Sequence, residues 1–128
     1  MKKHSAWFAQ ARKDLLWGES SLSGGHFAQT CFIAQQVAEK ALKSLAYYRG
    51  NDLVKSHSLV QILKDLEING HLASYGRQLD LYYIATRYPD ALPDNSVPSD
   101  FFDADQARAA LDMAKVFLDK VQAELVAE

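Results

Sequence analysis

A chain of 128 residues, 48% of them apolar, is long enough for one domain with a core of its own and needs no second. Its formal charge of -2 and isoelectric point near 6.1 exclude a broad basic surface for coating nucleic acid, though not a local basic site. Cys31 stands alone, which excludes an internal disulfide and any CxxC metal or redox motif, and no stretch is long and apolar enough to span a bilayer, so a cytoplasmic protein without a membrane partner is expected.

Trp7, Phe8, Ala11, Leu15 and Leu22 fall at helical spacing and predict a first helix over about residues 4 to 22, stopped by Ser23-Gly24-Gly25. From about His26 to Tyr48 the stripe Phe27, Cys31, Ala34, Ala38, Leu42 and Leu45 recurs every three to four residues, with Ile33 and Val37 on a second apolar strip. This second helix can bury two sides, and Cys31 reads as plain packing. Arg49-Gly50-Asn51-Asp52 then leads to Ser58, which with Gln61 has the form of a capping box opening a third helix. Leu59, Ile62, Leu63 and Leu66 form its apolar face as far as Asn69-Gly70. Leu72, Tyr75, Leu79 and Tyr82 predict a fourth helix ending near Thr86, and Asp103 with Gln106 predicts a cap on a long fifth that runs from Ala107 to Leu125. There is no strand alternation and no internal repeat.

The expected fold is therefore all-α, a single domain built as an antiparallel up-and-down bundle of about five helices. Such a topology gathers Lys2, Lys3, His4, Arg49, Lys55, His57, Arg87 and the loop after it at one end. The glycine turn, His26, Asn69, His71 and the carboxyl terminus then fall at the other.

The connection from Tyr88 to Phe102 contains every proline of the chain and is longer than the roughly two to eight residues usual between bundle helices. Its prolines predict extended backbone at Tyr88, Leu92 and Val97, and Pro89 stops the fourth helix at about Arg87. Arg87 then either caps its helix or pairs with Asp90 or Asp94, or else presents its planar fork to a phosphate. His57 either fills a turn or is a titratable imidazole near Arg87. Asp90, Asp94, Asp100, Asp103 and Asp105 lack the spacing of a calcium loop, and Asp103 and Asp105 suit a helix amino terminus, so neither a metal nor a cofactor is expected. HExxH, Walker, GxGxxG and nucleophile-elbow motifs are absent. On the second helix Gln36, Lys40 and Lys43 lie near one face, and Glu39 with Lys43 makes an i,i+4 pair of favourable orientation, which reads as a solvated face or as the border of a site.

Trp7, Ala11 and Asp14-Leu15, the run Cys31-Phe32-Ile33-Ala34-Gln35-Gln36-Val37-Ala38-Glu39-Lys40-Ala41-Leu42-Lys43, then His57-Ser58-Leu59, and finally Tyr83-Ile84-Ala85-Thr86-Arg87-Tyr88-Pro89-Asp90 together resemble prokaryotic HEPN-domain proteins almost end to end. The resemblance implies a helical bundle that forms a homodimer and partners a minimal nucleotidyltransferase, often as a toxin-antitoxin or nucleotide-binding pair. It also raises nucleotide addition to a tyrosine, for which Tyr88 is the acceptor. Many HEPN toxins are metal-independent ribonucleases with an arginine followed, after four to six residues, by a histidine. Arg87 matches that arginine; no histidine follows it at that distance, and Arg49 to His57 has seven residues between. The expectation is therefore a non-catalytic or weakly catalytic protein that binds a nucleotide or RNA, with Arg87, Tyr88, Gln36, Lys40 and Lys43 around the phosphate in a dimer groove. The alternative is a ribonuclease in which His57 joins Arg87 as the catalytic pair.

Overall fold

The computed structural model describes residues 1–126. It consists of α1 (Lys3–Ser23), α2 (Phe27–Tyr48), α3 (Leu59–Asp65), α4 (His71–Ala85), a single helical turn α5 (Pro98–Phe101) and α6 (Ala104–Val126), with no strand among the described residues. The five helices expected from periodicity are all present. Helix α5 is the addition, and it lies within the proline loop.

Local chemistry accounts for the boundaries. Asp103 and Gln106 form the predicted capping box in both directions: Gln106 N donates to Asp103 Oδ1 at 2.8 Å, and Asp103 N donates to Gln106 Oε1 at 2.9 Å. The box at α3 is only half realised. Ser58 Oγ accepts from Gln61 N at 3.2 Å, but the Gln61 side chain turns to Asp65 instead of reaching back. Asp80 of α4 supplies the rest, accepting from Leu59 N at 2.8 Å, Val60 N at 3.1 Å and Ser58 Oγ at 3.0 Å. Backbone donors that a helix start leaves open are thus closed by a carboxylate from the neighbouring helix.

Helix α2 is the axis of the molecule and is buried from Thr30 to Tyr47 apart from Phe32, Gln36 and Lys40. Helices α1 and α6 pack on it, and Gly18 permits the close approach: a Cβ there would lie 2.8 Å from Leu111 Cδ2 and 3.3 Å from Ile33 Cγ2. Gly76 does the same for α3 and α4, where a Cβ would stand 3.0 Å from Leu63 Cδ1. Phe117, Leu42, Leu45, Leu59, Leu63 and Leu79 fill the interior between these layers.

The two ends differ from the expected sorting. Ser44 Oγ donates to His4 O at 2.9 Å and Lys3 Nζ to Asp52 O at 2.6 Å, which places the start of α1 beside the end of α2 as expected. Arg49, however, binds both carboxylate oxygens of Glu124, at 3.0 and 2.8 Å, and donates to Leu66 O at 2.9 Å. That end therefore holds the carboxyl-terminal part of α6 and the end of α3. Arg87, by contrast, lies over Phe32 near the start of α2, and Ser99 meets Gln29 there at 3.2 Å. The seventeen residues from Phe32 to Arg49 amount to roughly 25 Å of helix. The cause is the segment between Arg49 and Ser58, which does not turn tightly but runs back along α2 until Gln35 Nε2 can donate to His57 O at 2.9 Å. Helix α3 then runs in the direction of α2, and α4 returns to the far end. Consequently α6 lies parallel to α2, and the predicted convergence of Arg49 and the amino-terminal lysines with Arg87 does not occur.

The proline loop is extended where predicted, at Tyr88 (φ -127°, ψ 123°), Leu92 (φ -114°, ψ 155°) and Val97 (φ -74°, ψ 118°). Between these points it coils into 3-10 turns at Pro89–Ala91 and Pro93–Asn95 before α5. Leu92, Pro98 and Phe102 are buried and fasten it to the bundle, with Phe102 edge-on to Tyr82 at 5.7 Å.

Replacing Asp80 with Ala leaves two amide donors at the head of α3 without their acceptor. Stability is expected to fall by about 1–3 kcal/mol, read as a lower urea midpoint at unchanged slope; a loss below about 0.5 kcal/mol would show that water caps α3 equally well.

Candidate functional site around Tyr83

The site is built on one stripe of α2. Phe32, Gln36, Glu39 and Lys43 recur at helical spacing; Phe32 meets Tyr83 of α4, and Glu39 meets His57 of the returning segment. Glu39 and Lys43, which spacing alone leaves open as a solvated pair, are both buried, with side chains only 5% exposed, and Lys43 Nζ lies 3.0 Å from Glu39 Oε2. The same carboxylate oxygen is 3.2 Å from His57 Nδ1. Since a carboxylate only accepts, the imidazole donates from Nδ1. Gln36 Nε2 donates to Gln35 Oε1 at 2.8 Å, and Gln35 in turn holds the His57 carbonyl. One turn further round, Lys40 forms an ion pair with buried Asp14, whose other oxygen accepts from Gln10 Nε2 at 2.8 Å. Each ammonium of the QQVAEKALK segment thus has its own internal carboxylate.

Tyr83 of α4 joins the two residues that a simple up-and-down topology brings to one end of the bundle by a different route. His57 stacks on its ring, with centroids 5.4 Å apart and planes 16° apart. The Arg87 guanidinium lies 4.6 Å from the same ring, 4.4 Å from Phe32 and 5.2 Å from Tyr88. Arg87 Nε donates to Tyr83 O at 2.8 Å, so the residue does cap the carboxyl-terminal turn of α4. Neither Asp90 nor Asp94 pairs with it among the described residues, and the forked end of the guanidinium keeps its donors. Tyr88 is 51% exposed and the His57 side chain 58%.

The arrangement combines an uncancelled planar cation, an imidazole anchored at one nitrogen and three aromatic rings. Such a set can hold a phosphate and stack against a base, and the imidazole can exchange protons. No group of three or more potential metal ligands exists among the described residues. Phe32, Gln35 and Tyr83 are site residues that sequence reasoning does not single out, and Glu39 enters it only as the i,i+4 partner of Lys43. A usable signal was present for Glu39: on a helix with two apolar sides, a charged residue between them has to be paired.

Cys31 lies in the core rather than in the site, and burial pushes its thiol from 9.0 up to about 12, with the Asp103 charge acting in the same direction. The folded state therefore retains a proton that the unfolded chain releases from about pH 9 upward. The associated stability is complete below that pH and is lost as pH rises towards about 12. Urea midpoints across this range should fall more steeply for the wild type than for Cys31→Ala; parallel curves would refute the assignment.

The family model described as the HEPN domain matches residues 4–124. Among solved structures, TT1696 from Thermus thermophilus is 37% identical, with a TM-score of 0.89 over 96% of this chain and 98% of its own. ST0689, an archaeal HEPN homologue, is 29% identical with a TM-score of 0.83, covering 97% and 98%. An HEPN-domain protein from Thermotoga maritima is 25% identical with a TM-score of 0.73, covering 94% and 98%. Comparison with curated proteins gives no match. No helix among the described residues is long and apolar enough to cross a membrane. With its helices in the same arrangement as these structures and the family model spanning all but its extremities, the chain belongs to the HEPN-domain family.

Proposed function

We propose that this HEPN protein binds a nucleotide, or another phosphate-bearing ligand such as RNA, at Arg87, Tyr88 and His57, and that it acts as a homodimer beside a minimal nucleotidyltransferase in the manner of a toxin-antitoxin pair. The observation that carries the ligand reading is the state of Arg87. One N–H of the guanidinium is fixed on Tyr83 O, its plane is set by aromatic rings, and no carboxylate cancels its charge among the described residues. A phosphate supplies the two acceptors that such a fork is shaped to receive. Gln36, Lys40 and Lys43 belong to the same reading as the border of the groove; Asp14 and Glu39 pair with the two ammonium groups, so the uncompensated charge of the site is that of Arg87. Tyr88, half exposed beside Arg87, is the tyrosine to which a nucleotidyltransferase would add a nucleotide.

A second reading is favoured by one specific feature. The hydrogen bond from His57 Nδ1 to Glu39 leaves Nε2 as the reactive nitrogen of a ring stacked on the tyrosine that also contacts Arg87. In an RNA ligand, Nε2 would take the 2′-hydroxyl proton as that oxygen bonds to phosphorus, and the bond from phosphorus to the 5′-oxygen would break with that oxygen taking a proton from water or from the imidazolium. Arg87 would stabilise the charge gathering on the phosphoryl oxygens.

The homodimer has its support in large apolar side chains left at the surface, Trp17 at 56% and Leu81 at 71% exposure among them. Material purified at native expression should sediment as two copies of this chain together with the nucleotidyltransferase. A lone monomer at micromolar concentration would remove both the shared groove and the partnership.

Arg87→Lys retains charge at the end of α4 but has no planar fork, and it is expected to melt close to the wild type while binding adenosine monophosphate about tenfold more weakly. Arg87→Ala should lose more affinity still. Equal affinity in all three proteins would leave Arg87 with its capping role alone.

A further inference from the structure

Glu39 is an expensive residue to place where it is. Withdrawing a carboxylate and an ammonium from water carries a large desolvation cost, and a pair of apolar side chains at such positions commonly serves stability as well or better. Both members lie on the same helix, so the pair fixes no register between elements. What it does fix is a third group. Glu39 Oε2, already bound to Lys43 Nζ, also receives Nδ1 of His57, a residue that belongs to no helix and follows the irregular segment after Arg49.

Three independent restraints act on His57. Gln35 Nε2 holds its carbonyl at 2.9 Å, Tyr83 covers one face of its ring, and Glu39 takes Nδ1. A histidine needed only to fill a turn requires none of these, and more than half of this side chain remains exposed. We propose that Glu39 is a positioning residue: with its charge balanced by Lys43, it fixes the tautomer and direction of the His57 ring, so that Nε2 points outward towards the phosphate-bearing ligand. This deepens the ligand reading above and rests on it. In the neutral ring Nε2 is then a bare acceptor, able to take a hydroxyl proton; once protonated it donates a hydrogen bond to a phosphate oxygen. Without Glu39 the ring can turn over and expose either nitrogen, and the site loses its defined donor.

The tautomer is read directly from long-range proton–nitrogen correlations of the wild type at about pH 9, where an ordinary imidazole is neutral. The expected result is Nδ1–H. An Nε2–H ring in the wild type overturns the proposal without any variant. Glu39→Met combined with Lys43→Met removes both charges together, which avoids stranding one of them in the interior. In that protein His57 should change to the Nε2–H form that free histidine favours, and adenosine monophosphate should bind about tenfold more weakly. Adding His57→Ala to it should weaken binding no further, because both changes remove the same contact. Full multiplication of the two losses would mean that Glu39 acts on the ligand by another route, and would overturn the proposal. If Glu39→Met with Lys43→Met does not fold, the tautomer of the wild type still decides, since that measurement needs no variant. Failure of adenosine monophosphate to shift any resonance of the wild type would refute the ligand reading separately, since the tautomer is measured with no ligand present.

Discussion

Burial of α2 on nearly all sides is the constraint from which the rest of the architecture follows. A helix in that position cannot leave its polar side chains to water, so Thr30, Gln35, Glu39, Lys43 and Ser44 must each find a partner inside the protein. Thr30 and Ser44 use nearby carbonyls, at His26 and His4. Gln35 Nε2 needs an acceptor, and Glu39, already paired with Lys43, takes a further donor; the chain supplies one residue for both. By running back along α2, the segment after Arg49 brings the His57 carbonyl to Gln35 and the His57 ring to Glu39. The departure from a simple succession of tight turns is thus the same event that satisfies the central helix and builds the site.

Much of the fold was legible because helical periodicity and capping are local. The helices near residues 4 to 22, 26 to 48 and 72 to 86, the Asp103–Gln106 box and the extended positions before each proline depend on neighbours within four residues, and sequence displays those neighbours. What sequence did not display was direction. A ten-residue connection can turn or run on, and the partners that hold it here, Gln35 and Glu39, lie 22 and 18 residues before His57. The half-formed box at Ser58 has the same origin: Asp80, twenty-two residues on, closes the helix start that Gln61 was expected to close.

The site shows the complementary pattern. Arg87 and His57 were visible as residues without an obvious structural employer, yet sequence reasoning places them together by way of an end of the bundle where Arg87 does not lie. They share Tyr83 because α4 passes His57 on its way to the far end, and a ring partly exposed on that helix can touch both. Lys40 and Lys43 show the converse. Spacing marks two lysines as neighbours on a helix face, but it cannot reveal that Asp14 from α1 and Glu39 from below hold their ammonium groups.

Capping and ligand binding need not compete at Arg87, since they use different atoms of one side chain. The cap requires only Nε, which meets the Tyr83 carbonyl. Phe32, Tyr83 and Tyr88 then orient the guanidinium plane through its face, a contact that attracts the cation without supplying an opposite charge. An aspartate in place of any of these rings would hold the arginine equally well and silence it towards phosphate. The proline-rich loop contributes at this point, because extended backbone at Tyr88, fixed by Pro89 and carried onward to the buried anchors Leu92 and Phe102, keeps an aromatic ring rather than one of the loop's several aspartates beside Arg87. Rigidity after the arginine therefore preserves a free positive charge in a protein whose overall balance is acidic.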